Sequence, residues 1–252
     1  MLPLWDQLLF LGIVAFGCYT QAVTGFALGL IVVALSALFG IMSIGLASIV
    51  VTIITLSNAG LALGRSGCQV RWNRVVPVIL ASLPTIYIGL LLLDQMSAES
   101  QGLLRLLLGV TIVASSLLLV FNPRPKARES SRASFGLLGG VAGVLGGLFA
   151  AFGPPLIFHF YRQPLKLAMI RDSLLMIFLL MSVVRIVFLL VEDAMPLDAL
   201  IQAGLALPVT LAFTFLGGKL PPPMGELAMR RSAFALLMLT GIGVMVPVLL
   251  GR

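Results

Sequence analysis

Gly146-Gly-Leu-Phe-Ala-Ala-Phe-Gly-Pro-Pro155 and an earlier stretch of the same character, Gln21-Ala-Val-Thr-Gly-Phe-Ala-Leu-Gly29, decide how this chain reads. Each is apolar enough to lie in a membrane, and each carries helix-breaking residues in its middle. Irregular backbone at bilayer depth leaves N–H and C=O groups without partners. It is tolerated only where protein buries it or a water-filled cavity borders it. A matched pair of such interruptions, one opening each half of a chain, is the best sequence pointer to a transporter's substrate site.

The rest of the chain has the composition this requires. Of 252 residues, 60% are hydrophobic and 10% charged, and mean hydropathy is +1.15. A soluble domain carries about 45–50% apolar and about 25% charged residues, so an integral membrane protein is expected. The opening residues, Met1-Leu-Pro-Leu-Trp-Asp6, lack the basic region of a cleaved signal peptide. The net charge of +7 fits an excess of Lys and Arg in cytoplasmic loops. No basic face with aromatic or motif support points to nucleic acid. Cys18 and Cys68 imply neither a disulfide framework nor a metal site, and His159 is the only histidine. No Ser–His–Asp set, carboxylate pair or metal-ligand cluster lies in the apolar stretches, so neither enzyme activity nor a cofactor is expected.

Six uninterrupted apolar stretches, 43–64, 75–93, 101–121, 172–191, 197–216 and 232–250, come near the ~20 residues a spanning helix needs. The interrupted segments 4–39 and 135–163 would each enter the membrane and return. The arms near 5–20 and 24–39 would reach only roughly 24 Å, short of a ~30 Å core. The basic residues Arg65, Arg71 and Arg74, then Arg124, Lys126, Arg128 and Arg132, then Lys219, Arg230 and Arg231 alternate with acidic loops holding Asp94 and Glu99, then Glu192, Asp193 and Asp198. The positive-inside rule places the basic loops in the cytoplasm of a plasma (inner) membrane. Each half then holds one broken hairpin and three full spans, an odd number, so the second half is inverted relative to the first. The expected fold is an all-α polytopic membrane protein with two inverted-topology repeats, 1–121 and 135–252, joined by a cytoplasmic linker, 122–134. One offset sets Gly12 on Gly140 and Gly25 on Gly153, and a slightly smaller one sets Pro84 on Pro208.

Candidate site residues follow from this plan. Thr24-Gly25 and Gly153-Pro154-Pro155 break helices, because glycine permits positive φ and proline removes a donor. Helices resuming at Phe26 and Pro155 would present N–H groups and positive dipole ends, which favour anions. Gln21 and Thr24 add side-chain donors, and Asn58 lies deep in the first full span. Arg185, inside a span, is either functional or snorkels to the outer headgroups. His159, one turn beyond the second tip, either relays a proton or donates to an anion, or is structural. Thr52, Thr55, Thr111, Ser115 and Ser116 are expected to bond their own helix backbone. The spacing of Gly136, Gly139, Gly140, Gly143, Gly146 and Gly147 reads as a helix-packing face.

With Thr24-Gly25-Phe26-Ala-Leu-Gly29 in the first half and Gly146-Gly147 through Gly153-Pro154-Pro155 in the second, the chain resembles the sulfite exporter TauE/SafE family over essentially its whole length. Many members carry Gly-Gly-Gly or Gly-Phe-Gly at the first tip, where this chain has Ala27. The Gly-Pro-Pro of the second tip looks like the branch linked with organosulfonates. The resemblance implies a secondary transporter of small sulfur-containing anions such as sulfite, organosulfonates or sulfoacetate-like compounds. The expected partners are that small anion, the lipid bilayer and, as one option, a second copy in a homodimer. An inside-negative potential contributes about 2.3 kcal/mol per charge per 100 mV and would drive an anion outward. A carrier for another solute, such as a carboxylate or a cation, or a membrane subunit without transport, are the alternatives.

Overall fold

The computed structural model describes residues 2–120, 127–220 and 225–250, which form ten α-helices and, among the described residues, no strand. The helices are α1 (Leu4–Thr24), α2 (Leu28–Leu38), α3 (Ile44–Ser66), α4 (Trp72–Glu99), α5 (Gln101–Val120), α6 (Arg132–Phe149), α7 (Pro154–Tyr161), α8 (Leu167–Val191), α9 (Leu197–Lys219) and α10 (Gly225–Leu249). Local chemistry sets several ends. Ser43 caps α3 by accepting from the Leu46 N–H at 3.2 Å, and Ser131 caps α6 by accepting from Ser134 at 3.3 Å.

Among the described residues, α1, α3, α4, α6, α8 and α9 are long and apolar enough to cross a membrane. This corrects the sequence expectation of two equal arms in the first hairpin. α1 has 21 residues and α6 has 18, whereas α2 has 11 and α7 only 8. At ~1.5 Å per residue, each hairpin pairs one helix of membrane length with one that reaches half-way or less. The asymmetry arises because the break is confined to three or four residues at the end of the long helix. Arg124 and Lys126 of the expected linker, and the side chains of Arg230 and Arg231, lie outside the described residues.

The packing has an internal pattern. α4 lies along α6, and five helices later α9 lies along α1. The contact of α3 with α9 is matched by that of α8 with α4, and α2 with α10 by α7 with α5. The pairs α3–α8 and α5–α10 are their own counterparts. Glycines bring the α4–α6 backbones together. A Cβ on Gly89 would lie 2.4 Å from the Val144 carbonyl oxygen, and Cβ atoms on Gly139 and Gly147 would lie 2.6 and 2.4 Å from those of Val78 and Ile86. Gly217 plays this part at the α1–α9 contact, where a Cβ would meet Ala22 at 2.9 Å.

The two halves are also tied at the end that carries the basic residues. Asp172 accepts from the Gln69 N–H at 2.9 Å, and Ser173 accepts from the Arg71 N–H at 2.9 Å. Glu129 pairs with Arg71 at 3.0 Å and with Arg74 at 2.8 Å. At the opposite end, the Tyr87 hydroxyl donates to Glu192 at 3.1 Å.

Candidate functional site

At the first tip the Thr24 hydroxyl is directed between the carbonyls of Thr20 (2.7 Å) and Phe26 (3.1 Å), holding α1 helical to its last residue. Gly25 then takes φ +83°, and Ala27 takes φ +90°. Two left-handed residues so close together forbid a helix between them, so α2 starts at Leu28 and not at Phe26, as the sequence suggests. Ala27 stands where glycine has no steric penalty. The Leu28 N–H donates to Gln21 Oε1 at 3.3 Å, so a side chain of the long helix caps the short one. The second tip shares the left-handed turn but not the cap. Ala150, the residue after α6, takes φ +52°, and α7 starts at Pro154 with no side-chain cap.

The two tips meet. A Cβ on Gly29 would lie 2.5 Å from the Ala150 carbonyl oxygen, so this contact requires a glycine. Between them is a cavity of about 20 Å³ bordered by Gln21, Ala27, Gly29, Leu30 and Thr55 on one side and Ala150, Ala151, Phe152, Gly153, Ile157 and Phe178 on the other. A single water needs about 10–15 Å³, so the site in this conformation has room for about one water.

Its polar groups are few and have one sign of preference. Gln21 Nε2 and Thr55 Oγ1 are buried without a hydrogen-bond partner, although an unpaired polar group in an apolar surround is costly. The first turn of a helix leaves N–H groups without intrahelical acceptors, and Gly29 and Leu30 bring the start of α2 to the cavity wall. α7 supplies fewer donors, because Pro154 and Pro155 have no N–H. What the two helix starts share is the positive end of the dipole. Among the described residues no Asp or Glu borders the cavity.

Arg185 does not snorkel. It is 0% exposed. Its guanidinium donates to the Ser48 carbonyl (2.8 Å), the Ser48 hydroxyl (2.8 Å), the Thr52 hydroxyl and the Gly147 carbonyl (3.0 Å). These bonds join α8 to α3 and α6 one turn from Thr55 and from Ala150-Ala151. Among the described residues no carboxylate pairs with it, so it leaves a buried positive charge beside the cavity.

The remaining candidates take supporting positions. The Tyr161 hydroxyl donates to the Thr24 carbonyl at 2.9 Å, and its ring meets Phe26 edge-on at 6.2 Å. Thr24, Gly25 and Phe26 therefore shape and anchor the tip without bordering the cavity. Asn58 Nδ2 donates to the Cys18 carbonyl (3.2 Å) and the Thr214 hydroxyl (2.5 Å), pinning α3 to α1 and α9. His159 faces away from the tips: its ring packs on Phe135 at 4.6 Å, and Nε2 lies 3.1 Å from Ser134 Oγ. Gly153 is in the wall, whereas Pro155 is outside it; the side chain of Pro154 lies outside the described residues.

The sequence expectation missed Thr55, grouping it with hydroxyls that bond their own helix. That grouping holds for Ser115, which donates to the Thr111 carbonyl, and for Ser116, which donates to that of Ile112 at 2.9 Å. The signal that distinguishes Thr55 is the spacing of Ser48, Thr52, Thr55 and Asn58 at three or four residues, which sets them along one face of α3.

Larger recesses flank the site. One of about 290 Å³ opens at the acidic end between Ile49, Tyr87, Asp94, Leu189 and Glu192. One of about 100 Å³ opens at the basic end between Ala22, Ala62, Arg65, Arg171, Thr214 and Gly218. α3 contributes to both recesses and to the cavity between them.

Comparison with known proteins adds the following. The family described as "Sulfite exporter TauE/SafE" matches residues 9–244. The chain is 36% identical over 231 residues to the "Probable sulfite/organosulfonate exporter TauE" of Cupriavidus necator, covering 92% of this chain and 90% of that protein. No solved structure matches.

Proposed function

Because the chain belongs to the sulfite exporter TauE/SafE family, whose members are membrane exporters and not enzymes, we propose that it exports small sulfur-containing anions. Sulfite and organosulfonates are the cargo class, carried by alternating access around the two broken-helix tips. The observation that carries this reading is the cavity where the tips meet. Two helix starts, the unpartnered Nε2 of Gln21 and an unpartnered Thr55 hydroxyl converge there, with Arg185 one turn away and, among the described residues, no carboxylate in the wall. Such a set stabilises an anion through directed hydrogen bonds and a fixed positive field.

In this proposal the repeats are 1–121 and 135–252, related by inversion. The paired helix contacts and the similar construction of the two tips support it. Basic loops face the cytoplasm by the positive-inside rule. Cargo then enters past Arg65 and Arg171 and leaves past Asp94 and Glu192, whose charges disfavour anion return. Since the cavity holds about one water, admitting an anion requires the Gly29–Ala150 contact to part, as rocking of one half against the other would do. The inside-negative potential favours outward movement by about 2.3 kcal/mol per charge per 100 mV.

Counterflow of radiolabelled sulfite and a small sulfonate into proteoliposomes, with and without an imposed potential, tests the proposal. Uptake should respond to the potential, compete between the two anions and ignore carboxylates of equal size. Flat traces from folded, correctly inserted protein would overturn it.

A further inference from the structure

The recess at the basic end has a character the transport cycle alone does not account for. Arg65 and Arg171 both border it. Arg65 also stacks on Phe215 with Cζ 4.1 Å from the ring centroid, and Lys219 Nζ lies 4.5 Å from the same centroid. Two arginines therefore border one opening, and Lys219 shares the Phe215 ring with one of them. Among the described residues none has a carboxylate within ion-pair distance, the ion pairs found being those of Glu129 with Arg71 and Arg74. Arg171 Nε is buried with no hydrogen-bond partner. A surplus of surface cations satisfies the positive-inside rule wherever they lie. That rule does not call for two arginines bordering one recess, one with a buried donor unpaired.

The recess also fits a small anion better than the cavity does in this conformation, with about 100 Å³ against about 20 Å³. Arg171 links the recess to the first tip. A Cβ on Gly25 would lie 2.9 Å from Arg171 Cγ and 3.1 Å from its Cα, so this arginine rests directly on the first tip. Thr214 on the opposite wall donates its hydroxyl proton to the Thr210 carbonyl at 2.6 Å, which leaves the guanidiniums as the donors.

We propose that this recess is a second anion-binding site, distinct from the cavity, in which Arg65 and Arg171 hold the oxyanion head of a sulfonate or sulfite before it reaches the tips. Guanidinium is the group suited to this task, because its planar fork meets two oxygens of such a head at once. The inference rests on the proposed anion transport for its cargo, but its test does not require transport.

The test uses Ala62→Cys as a reporter in a Cys68→Ser background, because Ala62 lines the recess, Cys68 is exposed and Cys18 is buried. Gly218→Cys is the second reporter, since a Cβ there meets nothing closer than Arg65 Nε at 3.8 Å. The protein in nanodiscs is labelled with two methanethiosulfonates, one carrying a sulfonate and one a quaternary ammonium. The anionic reagent should react preferentially. The anionic-to-cationic rate ratio should fall roughly 10-fold or more when Arg65→Gln and Arg171→Gln are added, in the range by which focused charge alters encounter rates. Methanesulfonate should slow labelling more than chloride at equal ionic strength. A ratio unchanged within about 2-fold in the folded arginine variants, no protection by methanesulfonate, or unreactive thiols at both reporters would overturn the site. Anion preference without counterflow would keep the recess and remove the transport reading, and counterflow without anion preference would do the reverse.

Discussion

Replacing Gln21 with glutamate changes one amide nitrogen to oxygen and leaves the shape of the side chain unchanged. Gln21 Oε1 accepts from the Leu28 N–H, a role a carboxylate oxygen keeps, so the cap of α2 and the form of the tip survive. What changes is the group facing the cavity, where the unpartnered Nε2 donor becomes a negative charge. Two unit charges about 4 Å apart repel by about 4 kcal/mol at an effective dielectric constant of about 20. Protonating a carboxylate of ordinary pKa ~4.3 at pH 7 to escape that repulsion costs nearly as much. Either route predicts a loss of anion affinity near 10³-fold, with partial recovery as the pH is lowered toward 5. Gln21→Leu, which removes the donor without adding charge, should lose ~10- to 150-fold, the equivalent of a charge-assisted hydrogen bond of about 1.5–3 kcal/mol. The assay is initial-rate counterflow of radiolabelled sulfonate against concentration, on protein shown by size exclusion and thermal unfolding to be folded. If Gln21→Glu transports within 2-fold of the parent at pH 7, the cavity is not where the anion binds, and the reasoning fails.

Perturbations at four other positions have defined outcomes. Arg185→Met removes four interhelical hydrogen bonds at about 0.6 kcal/mol each in a membrane, so scanning fluorimetry should show a loss of roughly 2–3 kcal/mol. Arg185→Lys, which keeps the charge, should retain more anion affinity in counterflow than the Met variant. Gly139→Val drives a side chain into the Val78 backbone and should lower the unfolding temperature by the equivalent of ~1–3 kcal/mol. Gly12→Ala, with nothing within 4 Å, should leave that temperature unchanged or raise it. The hydrogen bond from Arg74, reinforced by Arg71, holds the Glu129 carboxyl below its usual range. Its contribution to stability is therefore present above the ordinary Glu pKa and is lost as pH falls through the depressed value. Glu129→Gln should flatten that acid limb of a stability–pH profile, with an effect of about 1 kcal/mol or less for a pair open to solvent.

Much of this protein is legible in its sequence, because the bilayer constrains a chain through composition and length alone. Runs such as 43–64 and 172–191 must be helical, since no other open conformation satisfies backbone hydrogen bonds in hydrocarbon. The glycine spacing from Gly136 to Gly147 announced a packing face, and at Gly139 and Gly147 that face meets α4. The positions of both breaks were visible because Gly25, Gly153 and the two prolines leave a helix few ways to continue. Local residues did not decide what lies across from what. Thr55 and Ser116 look alike in the sequence, yet one has an unpartnered hydroxyl in the central cavity and the other bonds its own helix. Arg185 is the same residue whether it reaches for headgroups or joins α8 to α3 and α6, and only the arrangement of Ser48, Thr52 and Gly147 around it selects the second. The start of α2 depended on a left-handed Ala27, a conformation the residue type argues against, held where Gln21 caps Leu28 and Gly29 meets Ala150. Sequence determined that the chain is an all-helical, multi-pass membrane protein and roughly where its apolar segments break, because those follow from each segment's own composition and solvation. The tertiary structure alone decided which unpaired donors share one cavity, because that depends on how separate helices pack, as where Gly29 meets Ala150 of the other half.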